Sequence, residues 1–291
     1  MAAGQHTIEI GNVLCSIAFE KGFFRNEFGA VLSGYERQGF CTEGKPDISI
    51  TVKNTSAEAA RTSGRNIFRH SLRYDSICAT LTFDTREFRG EIAFSIEDLR
   101  GDIPLRGIEL IETFICNAYL FYFLLNGRGT FIHSSGVSDG ENGYIFSGSA
   151  GNGKSTIARL SRPRTVLCDE IVLLQRNEHG EKMVFGTPFA GEAGGVNRGV
   201  PCRGIYFIEK SGFNEISRVS RMYGVTELMK EGINGGFIAL ADIQRIYPYA
   251  RFLALVSELL KGVPCYRMKF RKDRSFWEVI HGQTEQARQE K

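Results

Sequence analysis

The stretch YIFSGSAGNGKSTIARL, residues 144–160, joins an apolar run to a glycine-rich turn and an apparent helix. From Gly148 to Ser155 it fits the pattern G-x-x-x-x-G-K-[ST] without a mismatch. Glycines let such a loop turn so that its amide N–H groups converge on phosphate oxygens, and the following helix points further N–H groups at the same anion. The preceding GYIFSG is typical of a strand and the following STIARL of a helix. The stretch therefore predicts a phosphate-binding loop.

The side chains of this loop predict the ligand. Lys154 supplies a positive charge for the β- and γ-phosphates of a nucleotide, and the Ser155 hydroxyl can ligand Mg²⁺. ATP and Mg²⁺ are therefore the expected cofactors. The residues predicted to bind them are Gly148, Ser149, Ala150, Gly151, Asn152, Gly153, Lys154, Ser155 and Thr156.

An acidic pair, Asp169 and Glu170, follows the apolar run VLC only 15 residues after Lys154. Buried carboxylates cost free energy unless they are paired, and a metal ion would pair with them. If the strand that carries the pair runs parallel to the strand before the loop, both meet at the carboxyl edge of an open α/β sheet. A carboxylate there can hold Mg²⁺ or accept a proton from an attacking hydroxyl. The alternative is an ordinary turn at the end of a strand.

The rest of the chain predicts two parts. Residues 1–104 show the alternation of half-buried strands, as in DISITVK at 47–53, and are predicted to form a β-rich accessory region. The second part, 105–291, is predicted to be the phosphate-binding domain. It begins with an apolar segment at 108–125 that contains Glu109, Glu112 and Asn117, and this segment is predicted to be a buried helix and not a membrane span.

Composition narrows the function classes. A net charge of +3 without a block of Lys or Arg does not favour nucleic acid as a partner. The first residues lack the basic start and apolar core of a signal peptide, and seven scattered cysteines without a C-x-x-C pair are typical of reduced thiols. A cytoplasmic protein that binds no membrane is therefore expected.

Three segments in order resemble a known family: FSGSAGNGKST, then VLCDEIVLL, then VFGTPFAGE. Together they resemble the HPr kinase-like group of P-loop kinases, which is related to the core of ATP-dependent phosphoenolpyruvate carboxykinase. The ending VPCYRMKFRKDRSFWEVI is also similar, so that the resemblance covers roughly residues 130–281. It implies an α/β fold, a P-loop kinase core of the HPr kinase/carboxykinase type with a β-rich N-terminal region.

The resemblance also implies roles for individual residues. Asp169 matches the general base toward a serine hydroxyl, Glu170 matches a metal contact beside Ser155, and His133 in FIHSSGV matches a histidine near the acidic pair. His133 is expected to orient Asp169 through a hydrogen bond, and with Lys154 these two residues form the expected catalytic set. Relatives also assemble into multimers, which makes a homo-oligomer an expectation.

A glycine-rich segment, GTPFAGEAGGVNRG at 186–199, is predicted to be a mobile loop over the phosphates. Arg198 or Arg203 could neutralise the transferred charge and so contact the substrate. The alternative is a surface loop with solvated arginines.

The leading hypothesis is an ATP-dependent kinase that phosphorylates a hydroxyl, above all a serine of a small carrier protein or peptide precursor. The Asp-Glu pair departs from the Asp-Asp of bifunctional HPr kinase/phosphorylase, which favours the serine and peptide kinase relatives. Two alternatives stay open. One is a small-molecule kinase or carboxykinase-type phosphoryl transfer, and the other is a nucleotide-gated binding protein without catalysis.

Overall fold

The computed structural model describes residues 5–20, 25–54, 66–74, 77–96, 103–232, 244 and 246–289. The chain divides into two compact units, Met1–Gly127 with Gly236–Pro248 and Arg128–Gly235 with Tyr249–Lys291. The helix Ile103–Leu125, with which the predicted second domain was expected to begin, belongs to the first of these units.

The first unit contains a six-stranded sheet with the order β1-β2-β3-β6-β5-β4. Its strands are β1 (Gln5–Ile10), β2 (Val13–Phe19), β3 (Ile48–Asn54), β4 (Ile67–Tyr74), β5 (Ile77–Asp84) and β6 (Arg89–Ile96). Burial alternates along β5, with every second side chain in the core, as a sheet with one covered face requires. The β-rich character predicted for this region is therefore confirmed. The helix α1 (Arg25–Arg37) lies in the same unit and has no counterpart among the predicted elements.

The helix α2 (Ile103–Leu125) packs on this sheet. Among the described residues it alone is long and apolar enough to cross a membrane, and 67% of the window Arg106–Leu125 is buried. Two of its polar side chains make hydrogen bonds within this unit: Tyr119 donates one to the Ile8 carbonyl at 2.6 Å, and Glu112 accepts one from Tyr35. The predicted buried helix is thus confirmed, because most of this window is buried inside the protein.

Among the described residues of the second unit are eight strands and four α-helices. The strands are β7 (Gly129–Ser138), β8 (Gly143–Ser147), β9 (Thr165–Cys168), β10 (Ile171–Arg176), β11 (Lys182–Phe185), β12 (Gly199–Lys210), β13 (Glu215–Val219) and β14 (Cys265–Phe270). The helices are α3 (Lys154–Leu160), α4 (Arg221–Glu227) with a π-helical turn at Leu228–Gly232, α5 (Tyr249–Leu259) and α6 (Phe276–Gln289).

The predicted α/β class, with a P-loop kinase core, is wrong. The fold is β-rich, with 41% strand against 29% helix, and it contains a closed five-stranded β-barrel. The ring follows from the pairings, because β11 pairs with β10, β10 with β7, β7 with β8, β8 with β12 and β12 again with β11. The strand after α3 does run parallel to the strand before the loop, as expected, because β8 and β9 both pair antiparallel with β7, but β7 lies between them.

Two local features explain the closure. The first three residues of β12 pair with β11 and its later residues pair with β8, and the register shifts between Cys202 and Gly204. A bulge of this kind bends a strand, so that one strand can serve two neighbours. Gly143, at the start of β8, has no room for a side chain: a Cβ there would lie 2.2 Å from a Val184 methyl group and 2.8 Å from a Val200 methyl group.

Candidate phosphate-binding site

The glycine-rich loop connects β8 to α3, so the strand–loop–helix context predicted for it is confirmed. Gly151 (φ 80°) and Gly153 (φ 112°) take left-handed conformations that other residues rarely adopt. A Cβ at Gly153 would also lie 3.1 Å from the Phe270 ring. The Asn152 side chain donates a hydrogen bond to the Ile208 carbonyl of β12 at 3.0 Å. These contacts hold the loop against two neighbouring strands, β12 and β14.

Lys154 is the first residue of α3 and only 7% of it is exposed. Its ammonium group donates a hydrogen bond to the Gly148 carbonyl at 2.8 Å and lies 3.5 Å from the Ser149 carbonyl oxygen. The side chain therefore reaches back across the loop to its beginning. The first amides of a helix have no partner within the helix, so the loop combines a held positive charge with N–H donors.

A cavity of about 320 Å³ lies directly at this loop. It brings together most of the predicted nucleotide-binding residues and two of the residues predicted for catalysis or metal binding. Its lining comprises Ala150, Gly151, Gly153, Lys154, Ser155, Thr156, His133 and Glu170.

His133 and Glu170 form a pair in this cavity, with 2.9 Å between Nε2 and Oε1. The antiparallel pairing of β7 and β10 places them together, because His133 lies opposite Ile171, the residue after Glu170. The backbone fixes Glu170 further, since Ser134 donates its N–H to the Glu170 carbonyl at 3.0 Å. Both side chains remain accessible, 24% for His133 and 45% for Glu170. A histidine paired with a carboxylate at hydrogen-bond distance can take up a proton.

Asp169 has a different environment, although it is the next residue in the chain. It is 1% exposed and does not belong to the cavity lining. Its two carboxylate oxygens accept hydrogen bonds from the N–H groups of Gly191 (2.8 Å) and Ala193 (2.9 Å). Asp169 therefore holds the segment after β11.

That segment is the one predicted to be a mobile loop over the phosphates. Besides its bonds to Asp169, it forms an isolated bridge between Gly195 and Cys168, and Val196 donates its N–H to the Leu167 carbonyl at 3.0 Å. Two glycines allow this close approach, since a Cβ at Gly186 or Gly195 would lie 2.2–2.3 Å from backbone oxygens. The segment is thus attached to the end of β9.

Arg198 and Arg203 lie at the other end of β8. Arg198 donates a hydrogen bond to the Gly140 carbonyl, and Arg203 donates one to the Asn142 side chain at 2.7 Å. Both partners belong to the turn that precedes β8, whereas the loop follows it. Five strand residues span roughly 17 Å, so the structure does not bring the two predicted substrate arginines to the cavity.

Within the described residues, no group of three His, Cys, Asp or Glu side chains could hold a metal ion. A magnesium site beside a phosphate loop does not require such a group, because Mg²⁺ takes few protein ligands and completes its shell with phosphate oxygens and water. The Ser155 hydroxyl and the cavity fit this requirement.

The Gly191 and Ala193 amides are the contacts that the sequence did not predict. Both residues lie in the predicted glycine-rich loop, but residue type does not reveal which backbone N–H group donates a hydrogen bond. Asp169 was therefore predicted to lie at the phosphate site.

A scan of protein-family models finds no match to the chain, and a search of curated proteins finds none either.

Proposed function

We propose that this chain is a phosphotransferase that binds ATP and Mg²⁺ at the 148–155 loop and transfers the γ-phosphate to a hydroxyl group. The observation that carries the proposal is the shared cavity, in which the loop and the His133–Glu170 pair face the same space. A loop alone would support binding. The His133–Glu170 pair beside the loop can accept the proton that the acceptor hydroxyl loses when it is phosphorylated.

The phosphates are held by the loop amides, the first amides of α3 and the Lys154 ammonium group. Lys154 exchanges its hydrogen bond to the Gly148 carbonyl for the β- and γ-phosphate oxygens. The contacts of the loop with Phe270 and Ile208 hold these donors in place before the ligand binds. Less conformational entropy is therefore lost on binding.

The Ser155 hydroxyl would hold Mg²⁺, and bound Mg²⁺ neutralises charge on the phosphate oxygens. Glu170, predicted as a second metal contact, is reassigned here to proton transfer because its carboxylate pairs with His133. Asp169, predicted as the general base, is reassigned to holding the 191–193 segment because both its oxygens already accept hydrogen bonds.

The acceptor hydroxyl approaches the loop from the side of His133, and the His133–Glu170 pair receives its proton. A serine of a small protein or peptide is the preferred acceptor, and this preference comes from the likeness of the motif order to the HPr kinase-like group. The proposed reaction belongs in the cytoplasm, where ATP and reduced thiols are both present.

The test is phosphate transfer from γ-labelled ATP to serine-containing peptides, with the modified residue located by mass spectrometry. The parent protein, Glu170→Gln and the exposed control Glu178→Gln are compared. Transfer by the parent and the control, with a loss in Glu170→Gln, supports the proposal. Nucleotide binding without transfer or hydrolysis in any condition would support a nucleotide-gated binding protein instead.

A further inference from the structure

A cavity of about 620 Å³ lies in the first unit beside the edge strand β1. It is bounded by the first residues of β1, by one face of α1 and by the segment 41–44. Its volume lies in the range of cavities that bind organic ligands. It is separate from the phosphate loop, since its lining lies wholly within residues 5–44.

Among the described residues, the segment 40–42 covers part of the edge of β1. Glu9 donates its N–H to the Phe40 carbonyl at 2.8 Å, and the Thr7 carbonyl accepts the N–H of Thr42 at 3.2 Å. Main-chain direction alternates along a strand, so the N–H of Thr7 and the main chain of Gln5 face the same outward side as the N–H of Glu9. Thr42 and the two residues after it, Glu43 and Gly44, line the cavity.

The charge of the lining is one-sided. Glu36 of α1 and Glu43 both line the cavity, and the described residues around it include no Lys or Arg. Burial and the nearby Glu36 carboxylate raise the pKa of the Cys41 thiol, so this cysteine stays neutral at pH 7 and does not offset the charge. An anionic ligand is disfavoured here, and a cationic one is favoured.

The helix side of the cavity is open. Gly29 faces it, and a Cβ built there meets no atom within 4 Å. Ser33, one turn later on the same face, donates its hydroxyl to the Gly29 carbonyl at 2.9 Å, so the wall itself is a regular helix. A ligand can therefore lie between α1 and β1 without displacing a side chain at this position.

We propose that this cavity binds an extended peptide with basic side chains, which adds to the edge of β1 beyond Thr42. The peptide's main chain pairs with Thr7 and Gln5, and its lysine or arginine side chains meet Glu36 and Glu43. Main-chain pairing supplies affinity and the alternating side chains supply selectivity, as in other cases of strand addition to a sheet edge. This inference does not depend on phosphate transfer, and its test needs no nucleotide.

The probe is a fluorescent, capped heptapeptide of alternating valine and lysine, and its binding to the full chain is followed by anisotropy. Two matched peptides serve as controls, one with glutamate in place of lysine and one with alternate amides N-methylated. Both should bind at least about tenfold more weakly, because one loses the charge match and the other loses main-chain donors. Equal binding of the N-methylated peptide would exclude strand addition.

Three protein variants complete the test, with the fold checked by circular dichroism. Gly29→Phe should block binding by filling the cavity, whereas Gly29→Ala should preserve it. The double variant Glu36→Gln/Glu43→Gln should bind roughly tenfold more weakly, while the exposed pair Glu87→Gln/Glu141→Gln should match the parent. Unchanged binding in Gly29→Phe, or no detectable binding to the parent, would overturn the proposal.

Discussion

Charged side chains lie at both ends of β8, and the two groups differ in what they contact. At its carboxyl end, Lys154, His133 and Glu170 surround an open cavity. At its amino end, Arg198 and Arg203 bind the Gly140 carbonyl and the Asn142 side chain of a hairpin turn. The charged groups at the carboxyl end therefore line a cavity, whereas the arginines at the amino end stabilise a turn.

The comparison extends to two neighbouring carboxylates. Glu170 reaches the cavity and His133, and Asp169 turns the other way to the amides of Gly191 and Ala193. An acidic pair in a sequence therefore need not be a functional pair. The two residues lie in the bend between β9 and β10, where one side chain reaches the cavity and the other lies in the interior.

The largest effect is expected at Lys154. Lys154→Ala removes the only lysine in the cavity lining, and one well-placed positive group can be worth about 10³–10⁵ in phosphoryl transfer. Turnover should fall by roughly that factor and calorimetry should show severely weakened Mg·ATP binding. The control Lys261→Ala, an exposed lysine, should behave as the parent. Parent-like ATP affinity in Lys154→Ala would show that the loop does not hold the phosphates.

Glu170→Gln is expected to have the next largest effect. It keeps the shape of the side chain and removes its ability to share a proton with His133, so transfer should fall by about 10²–10⁴. ATP affinity and thermal stability should stay near those of the parent, as they should in Glu178→Gln. If ATP affinity and Mg²⁺ dependence weakened along with turnover, Glu170 would be a metal ligand.

Asp169→Asn should act mainly on stability. The amide places an NH₂ group where a carboxylate oxygen now accepts a backbone N–H, and losing a buried, charge-assisted hydrogen bond costs about 1–3 kcal/mol of unfolding free energy. Denaturant unfolding measures this directly. Turnover should fall less than in Glu170→Gln. The opposite ranking, with stability unchanged, would return the role of general base to Asp169.

The smallest effects are expected at the amino end of β8. Arg198→Gln and Arg203→Gln remove hydrogen bonds to an exposed turn, and such changes are usually within about 0.5 kcal/mol of unfolding free energy. Turnover and ATP affinity should match those of the parent within measurement error. A large loss of turnover in either variant would mean that the arginine reaches the phosphates during the reaction.

What the sequence predicted well was local. The loop, its flanking strand and helix and the buried α2 depend on residues that are close together in the chain, and each appears where it was predicted. The family resemblance placed His133 near the acidic pair, as the residue that orients Asp169. The β7–β10 pairing instead brings His133 to 2.9 Å from Glu170.

What the sequence did not predict was non-local. Closure of the barrel depends on β12 pairing with β11 through its first residues and with β8 through the rest, and neither pairing leaves a periodic signal. The Asp169 contacts lie 22 and 24 residues along the chain and involve backbone N–H groups, which every non-proline residue has. The α/β prediction failed because it inferred an open sheet, whereas β7 lies between the parallel strands β8 and β9 and the strands around it close into a barrel.

The most direct test of the account is a crystal structure with Mg²⁺ and a non-hydrolysable ATP analogue. The account predicts the triphosphate along the 148–155 loop, with the γ-phosphate in contact with Lys154 and facing the His133–Glu170 pair. It also predicts that Asp169 keeps its hydrogen bonds to Gly191 and Ala193. A γ-phosphate directed away from His133 and Glu170, or a nucleotide bound elsewhere in the chain, would contradict it.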